Sequence, residues 1–218
     1  MSPSPADRLP AALRRHGLVA ILRARTPGAP LLDVVRTLVD AGVAIIEITV
    51  PTPGSLEAVR AAAAQYGDRV LIGTGTVTTP AQVRATAEAG GAFVVSPHTD
   101  PELIRAARDA GLGALPGAFT PTEILAAHRA GATAVKLFPA TGLGPGYVAD
   151  VRAPLPDIPL VPTGGVGTRE IPAYRAAGAV AVGVGSPLVG DALAGGSLAA
   201  LGERAAEFVR LAAEGAAA

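Results

Sequence analysis

Eight times between residues 18 and 190 the chain repeats one rhythm, a short run of β-branched apolar residues followed by an alanine-rich stretch with helical periodicity. The runs are Leu18–Arg23, Ala44–Val50, Val70–Thr76, Ala92–Pro97, Gly113–Phe119, Ala134–Ala140, Pro159–Gly165 and Ala179–Ser186. Helices between them open on Thr79-Pro80, Asp100-Pro101 and Thr120-Pro121-Thr122-Glu123, and close on glycines such as Gly42 and Gly131. No composition break or linker interrupts the series. Eight βα units therefore predict an α/β chain folded as a single (β/α)8 TIM barrel, near the small end of the roughly 200–400 residues usual for that architecture. Residues 1–17 are expected to form an N-terminal capping segment with a short helix, and 18–218 the barrel, closed by a last helix over 197–214. An open doubly wound sheet is the alternative. Against it, the first strand-to-helix turn, Arg25-Thr26-Pro27-Gly28, is no Gly-x-Gly-x-x-Gly fingerprint, so a nucleotide cofactor has no visible seat.

Composition narrows the function. The 18 basic and 18 acidic residues balance, which leaves no basic stripe for nucleic acid or an anionic membrane surface. Absent cysteine rules out disulfides, zinc–thiolate sites and a thiol nucleophile. His16, His98 and His128 are too far apart for a paired-ligand helix motif, so no metal and no cofactor is expected. Met1 to Pro10 lacks an apolar core, and no apolar stretch reaches the roughly 18 residues of a membrane span, which suggests a cytoplasmic protein.

One residue stands apart. Every basic residue is arginine except Lys136. Surface positions tolerate either cation, whereas chemistry that needs a deprotonatable amine cannot use a guanidinium. The bland alternative is an accidental leftover. Strand alternation adds to the case, because the outer face of each strand must meet apolar helices. In Ile45–Val50, residues Ile46, Ile48 and Val50 make the outward row and leave Glu47 and Thr49 inward; in Ala134–Phe138, Val135 and Leu137 face out while Lys136 and Phe138 point in. An amine and a carboxylate thus share the interior, near the strand ends where barrel active sites gather. A buried structural ion pair is the competing reading, although an apolar pair would stabilise the fold as well or better.

At these residues the sequence resembles the class I 2-keto-3-deoxy-6-phosphogluconate (KDPG) aldolase family, also described as 4-hydroxy-2-oxoglutarate (KHG) aldolases, over about residues 18–190. The matching segments are Glu47-Ile48-Thr49, Gly73-Thr74-Gly75-Thr76-Val77, Ser96-Pro97, Pro116-Gly117 with Thr120–Glu123, Lys136–Ala140, Pro162–Val166 and Gly185-Ser186. The resemblance implies Lys136 as the Schiff-base lysine and Glu47 as the general acid/base, with Thr76, Pro97 and Phe138 lining the pyruvyl pocket. Thr49 and Thr163 join them as expected substrate contacts. It also implies a small phosphorylated 2-keto acid as partner and a homotrimer.

The chemistry suits those residue types. Cleaving a carbon–carbon bond beside a ketone leaves a carbanion, which is stabilised when its electrons flow into a protonated imine made from an amine. Burial and a neighbouring cation such as Arg23 are expected to favour the neutral, attacking amine. One mobile carboxylate, Glu47, can serve the proton transfers. Glycine-rich ends of the seventh and eighth runs, with Gly164, Gly165, Gly185 and Ser186, fall where barrels commonly bind phosphate through backbone N–H groups, and tight turns are the structural alternative. Arg23, adjacent to the eighth run in a closed barrel, is a candidate second phosphate ligand, or else a helix-face or inter-subunit arginine. After Glu47-Ile48-Thr49 stand Val50-Pro51 where the gluconate-type pattern has Leu-Arg, and Gly144–Tyr147 looks more like the branch acting on the galactonate-derived C4 epimer; Thr163 looks gluconate-like. The ordering expected from sequence puts the gluconate epimer first, with the galactonate epimer and 4-hydroxy-2-oxoglutarate as slower substrates. A non-catalytic barrel used as an assembly scaffold, and a phosphate-binding isomerase, are the readings from other classes.

Overall fold

The computed structural model of the chain describes residues 4–67 and 69–214. Residues 1–3 of the capping segment and 215–218 at the far end of the barrel segment lie outside the described residues. In chain order the elements begin with α1 (Pro5–His16), β1 (Leu18–Leu22), α2 (Leu31–Asp40), β2 (Ile45–Thr49), α3 (Ser55–Tyr66) and β3 (Leu71–Gly75). They continue with α4 (Pro80–Glu88), β4 (Phe93–Val95), α5 (Pro101–Asp109), β5 (Gly113–Leu115), β6 (Gly117–Ala118), α6 (Pro121–Arg129) and β7 (Val135–Leu137). The last third holds α7 (Gly144–Arg152), β8 (Leu160–Pro162), α8 (Ile171–Ala176), β9 (Val182–Val184), the short α9 (Ser186–Val189) and α10 (Leu198–Glu214). Every apolar run carries a strand, and the N-caps fall where the sequence put them. Thr79 and Thr120 each form a capping box, with Gln82 and Glu123, and Asp100 accepts from Glu102 N–H.

All strand pairs are parallel, and the sheet is curled. The expected single eight-stranded ring is present only in coarser form, because ladder hydrogen bonds divide the strands into a six-stranded sheet, β5-β4-β3-β2-β1-β9, and a three-stranded one, β6-β7-β8. The physical reason lies at two joints. Pro116 brings no N–H to the ladder and splits the fifth run into β5 and β6. At the other joint, pairing between the ends of β8 and β9 is reduced to one bridge, Thr163 with Gly183.

Alternation sorts the core into two layers. Outward residues Ile46, Ile48, Val135, Leu137, Val182 and Val184 pack with the helices, whereas inward Val19, Ile45, Leu71, Phe93, Leu115 and Val161 cluster with Leu9 and Leu13 of α1. The expected capping helix therefore plugs the end of the curled sheet where the strands begin. Leu9 is 0% exposed, and a Cβ on Gly113 would lie 2.4 Å from its Cδ2, so that glycine makes the room for the plug. Burial of two leucines contributes about 2 kcal/mol each by transfer. With one end filled by apolar side chains, polar inward residues are left to the opposite end.

Candidate active site

Strand parity delivers the interior charges. Ile45 below and Glu47 above it point inward on β2, and Lys136 and Phe138 take the same parity on and just after β7. Glu47 is 2% exposed and Lys136 6%. Glu47 Oε1 has no hydrogen-bond partner. Burial pushes its carboxyl above its ordinary value, while the charges of Lys136 and Arg23 pull the other way. The ion pairs among the described residues, Arg36–Asp33, Arg108–Asp109 and Arg210–Glu214, all lie on the surface; Lys136 and Glu47 interact through space without a contact pair. A contact ion pair therefore does not account for their burial. The Lys136 Nζ stands 4.8 Å from the centroid of the Phe138 ring, a cation–π arrangement set by their shared parity.

Lys136 forms part of the wall of a cavity of about 490 Å³. Arg23, Phe138, Thr163, Gly164, Gly165, Gly185 and Ser186, all expected from sequence, line it too. Register explains how the first and last strands meet there: β1 pairs with β9, Val19 opposite Gly183 and Ala20 opposite Val184. Gly164 and Gly165 adopt left-handed backbone, φ +95° and +72°, and a Cβ at Gly165 would come within 2.6 Å of Thr141 Oγ1. Glu47 lies behind this wall, on a small internal void that it shares with Lys136 and Thr163.

Three expected residues stand elsewhere. Thr49 is fully buried and shares a 2.9 Å hydrogen bond with the Thr52 hydroxyl, which accepts from Ala24 N–H; it braces the β1 and β2 ends rather than facing the cavity. Thr76, at φ +58°, accepts a 3.5 Å bond from the Arg23 guanidinium, so it touches the cavity wall only through that arginine. Pro97 packs against Gly117, where an added Cβ would meet its carbonyl carbon at 2.4 Å. Sequence reasoning missed Arg25, Thr26, Pro187, Val189 and Leu193, all in the cavity lining. For Arg25 a signal existed, since it follows Arg23 by two positions.

Gly75 is the residue that lets Glu47 stand where it does. A Cβ there would fall 1.6 Å from Glu47 Oε1 and 2.2 Å from Cδ, and Gly75 has no left-handed backbone for an alanine to strain. Gly75→Ala is therefore expected to keep the fold, because the displaced atoms end a flexible side chain. Misplacing the carboxyl by about 1 Å should still cost turnover on the order of 10²-fold. Activity within threefold of the parent at unchanged melting temperature would show that the carboxyl position is not critical.

A buried amine on the wall of a glycine-edged cavity and a buried carboxylate behind that wall, at one end of a curled parallel α/β sheet, suit a carbonyl-processing enzyme, and the comparisons place the chain among the aldolases, which are carbon–carbon lyases. Residues 10–202 match the model of the KDPG and KHG aldolases, and the chain belongs to that family. A Rhizobium meliloti protein described as a probable 2-dehydro-3-deoxy-6-phosphogalactonate aldolase is 39% identical over 193 residues, 88% of this chain and 91% of its own length. A 2-dehydro-3-deoxy-phosphogluconate aldolase of Pseudomonas aeruginosa is 37% identical over 149 residues, 68% of this chain and 67% of its own. The solved structure described as native KDPGal matches with a TM-score of 0.84 at 38% identity, over 91% of this chain and 95% of that one.

Proposed function

We propose that the chain is a class I aldolase that cleaves a phosphorylated 2-keto-3-deoxy sugar acid to pyruvate and glyceraldehyde 3-phosphate. The observation that carries the reading is the only lysine in the sequence, buried beside an unpartnered buried carboxylate and reaching a cavity edged by glycines. Lys136 Nζ adds to the C2 carbonyl and water leaves, forming the iminium. Glu47 takes the C4 hydroxyl proton as the C3–C4 bond breaks; its electron pair passes into the iminium, giving the enamine and releasing the aldehyde. The carboxyl then returns a proton to C3, and hydrolysis frees pyruvate and the amine. Phe138 and Thr163 border the reacting centre, with Pro97 and Thr76 behind it. Gly164, Gly165, Gly185, Ser186 and Arg23 hold the phosphate.

On the epimer, the comparisons support reversing the order expected from sequence. Two relatives at 39% identity over 88% of this chain, from R. meliloti and Escherichia coli, are described as phosphogalactonate-type aldolases. That agrees with Pro51 and the Gly144–Tyr147 segment. Thr163, in the cavity wall, favours the gluconate epimer as the second reading. Parallel kcat/KM measurements on the two epimers test this, and a tenfold preference for the gluconate form would restore the original order.

The finer architecture belongs to the same reading: the two sheets join across Pro116 and the Thr163–Gly183 bridge into one (β/α)8 barrel made by the described residues from 18 onward, capped by α1. The family resemblance supports a homotrimer. Among the described residues no helix is long and apolar enough to cross a membrane.

The phosphate assignment makes its own prediction. Ser186 is exposed on the cavity wall, so Ser186→Asp sets a carboxylate against the phosphate without disturbing the core. KM for phosphorylated substrate should rise about tenfold or more, with a smaller change in kcat. An unchanged KM would place the phosphate elsewhere.

A further inference from the structure

We infer that Arg25 is a second substrate-binding cation, which selects for the phosphorylated form of the keto acid. The inference rests on the aldolase reading above. Arg25 lies in the β1–α2 connection and lines the 490 Å³ cavity together with Arg23 and Lys136, and none of the residues in that lining is a carboxylate. The charged side chains of that lining, Arg23, Arg25 and Lys136, are thus all basic.

Its place follows from the strand register. β1 and β9 run side by side, and a Cβ on Gly185 would sit 3.7 Å from the Ile21 carbonyl oxygen. The chain leaving β1 therefore passes the Gly185–Ser186 end, with Arg23 and then Arg25 beyond Ile21. Between the two arginines Ala24 is buried, and its N–H donates to Thr52 Oγ1, itself hydrogen-bonded to Thr49 Oγ1. Both guanidinium groups consequently spring from a pinned backbone, at positions two residues apart.

Charge explains why a second cation is useful. Arg23 already interacts with the Glu47 carboxyl and donates to Thr76 Oγ1. A phosphate monoester carries nearly two negative charges at pH 7. Arg23 alone leaves that charge only partly neutralised. Arg25 is exposed at the mouth and makes no ion pair among the described residues, so its charge is available to the ligand. An exposed guanidinium in water contributes through charge more than through fixed geometry, which predicts a modest, salt-sensitive effect on binding.

The test compares Arg25→Gln and Arg25→Glu with the parent, on the phosphorylated keto acid and on the same acid lacking phosphate. For the phosphorylated acid, Gln should raise KM about fivefold at low salt and Glu further, with kcat within about twofold and the difference shrinking as salt is added. KM for the unphosphorylated acid should stay within about twofold, a split that a merely structural arginine could not produce. An unchanged KM for the phosphorylated acid, or an equal rise for both acids, overturns the assignment while the parent's turnover leaves the aldolase reading intact. A parent inert toward both acids overturns the aldolase reading, and Arg25's role with it.

Discussion

Lys136→Arg is expected to lose aldol cleavage on the order of 10⁴-fold or more, because the guanidinium keeps the charge yet cannot condense with a ketone at any accessible pH. Lys136→Met, which fills the site without a buried cation, should be as inactive. It removes the charge that opposes burial at Glu47, so the Glu47 carboxyl should rise further above its ordinary range in that variant. Chemistry rather than folding is thereby isolated: both variants should unfold as cooperatively as the parent. Composition makes the covalent test clean. Borohydride reduction in the presence of pyruvate traps an imine permanently, and Lys136 is the only lysine in 218 residues, so intact mass and one peptide map locate the adduct. A pyruvyl adduct on the Lys136 peptide, absent from both variants, is the expected result. An active Lys136→Arg enzyme, or parent activity without any trapped adduct, would sink the imine mechanism.

Much of this site was legible because a barrel-like sheet converts sequence parity into geometry. Glu47 and Lys136 came out inward, and the helix-facing residues around them came out apolar, from alternation alone. Depth along a strand is another matter. Thr49 shares inward parity with Glu47, yet lies at the strand end, where the neighbouring Thr52 captures its hydroxyl. Parity fixes the side a residue faces, not what else competes for its hydrogen bond. Loop residues have no parity to read, which is why Thr26, named only as part of a turn, was not marked as a cavity residue. Gly75 was visible as part of a motif, but the reason for it, an empty Cβ position filled by a carboxyl from the adjacent strand, needs both strands in place.

The near-exclusive use of arginine was also only half readable. A surface role explains some of the positions, but several guanidinium groups tie loops and helix ends through backbone carbonyls. Arg8 donates to Gly67, Arg152 to Gly178 and Pro156, Arg204 to Leu188 and Val189, and Arg175 to Ala179 and Val180. A planar fork bonds two carbonyls at once, which an ammonium on a flexible stem does less well. Arg204 has a bearing on the site, since the carbonyls that it holds end the short α9, whose first residue is Ser186. The longer-range of these pairings, those of Arg8 and Arg204 and that of Arg152 with Gly178, join residues that the sequence does not mark as partners.

Glu47→Gln should separate function from stability more sharply than any other substitution. As the group proposed to remove and return protons, its carboxyl should account for a turnover loss of about 10²–10⁴-fold when replaced by an amide of the same shape. The fold should respond in the opposite direction. Burial raises the Glu47 carboxyl above its ordinary value of 4.5, so the folded protein binds this proton more tightly than the unfolded chain does. The protonated group carries no such penalty below the ordinary value. As pH climbs from there through the raised folded value, the carboxylate must be charged while buried, and stability falls. The amide does not titrate. Glu47→Gln should therefore melt at the same temperature as the parent, or above it, near neutral pH, and lose the parent's decline in stability between mildly acidic and neutral pH. Activity gives the matching limb: parent turnover should fall on acidification with an apparent pKa above 4.5, as the base is protonated. A Gln variant that retains tenfold-reduced or better activity, or one that melts well below the parent at neutral pH, would mean that Glu47 is held in the interior by structure rather than by proton transfer.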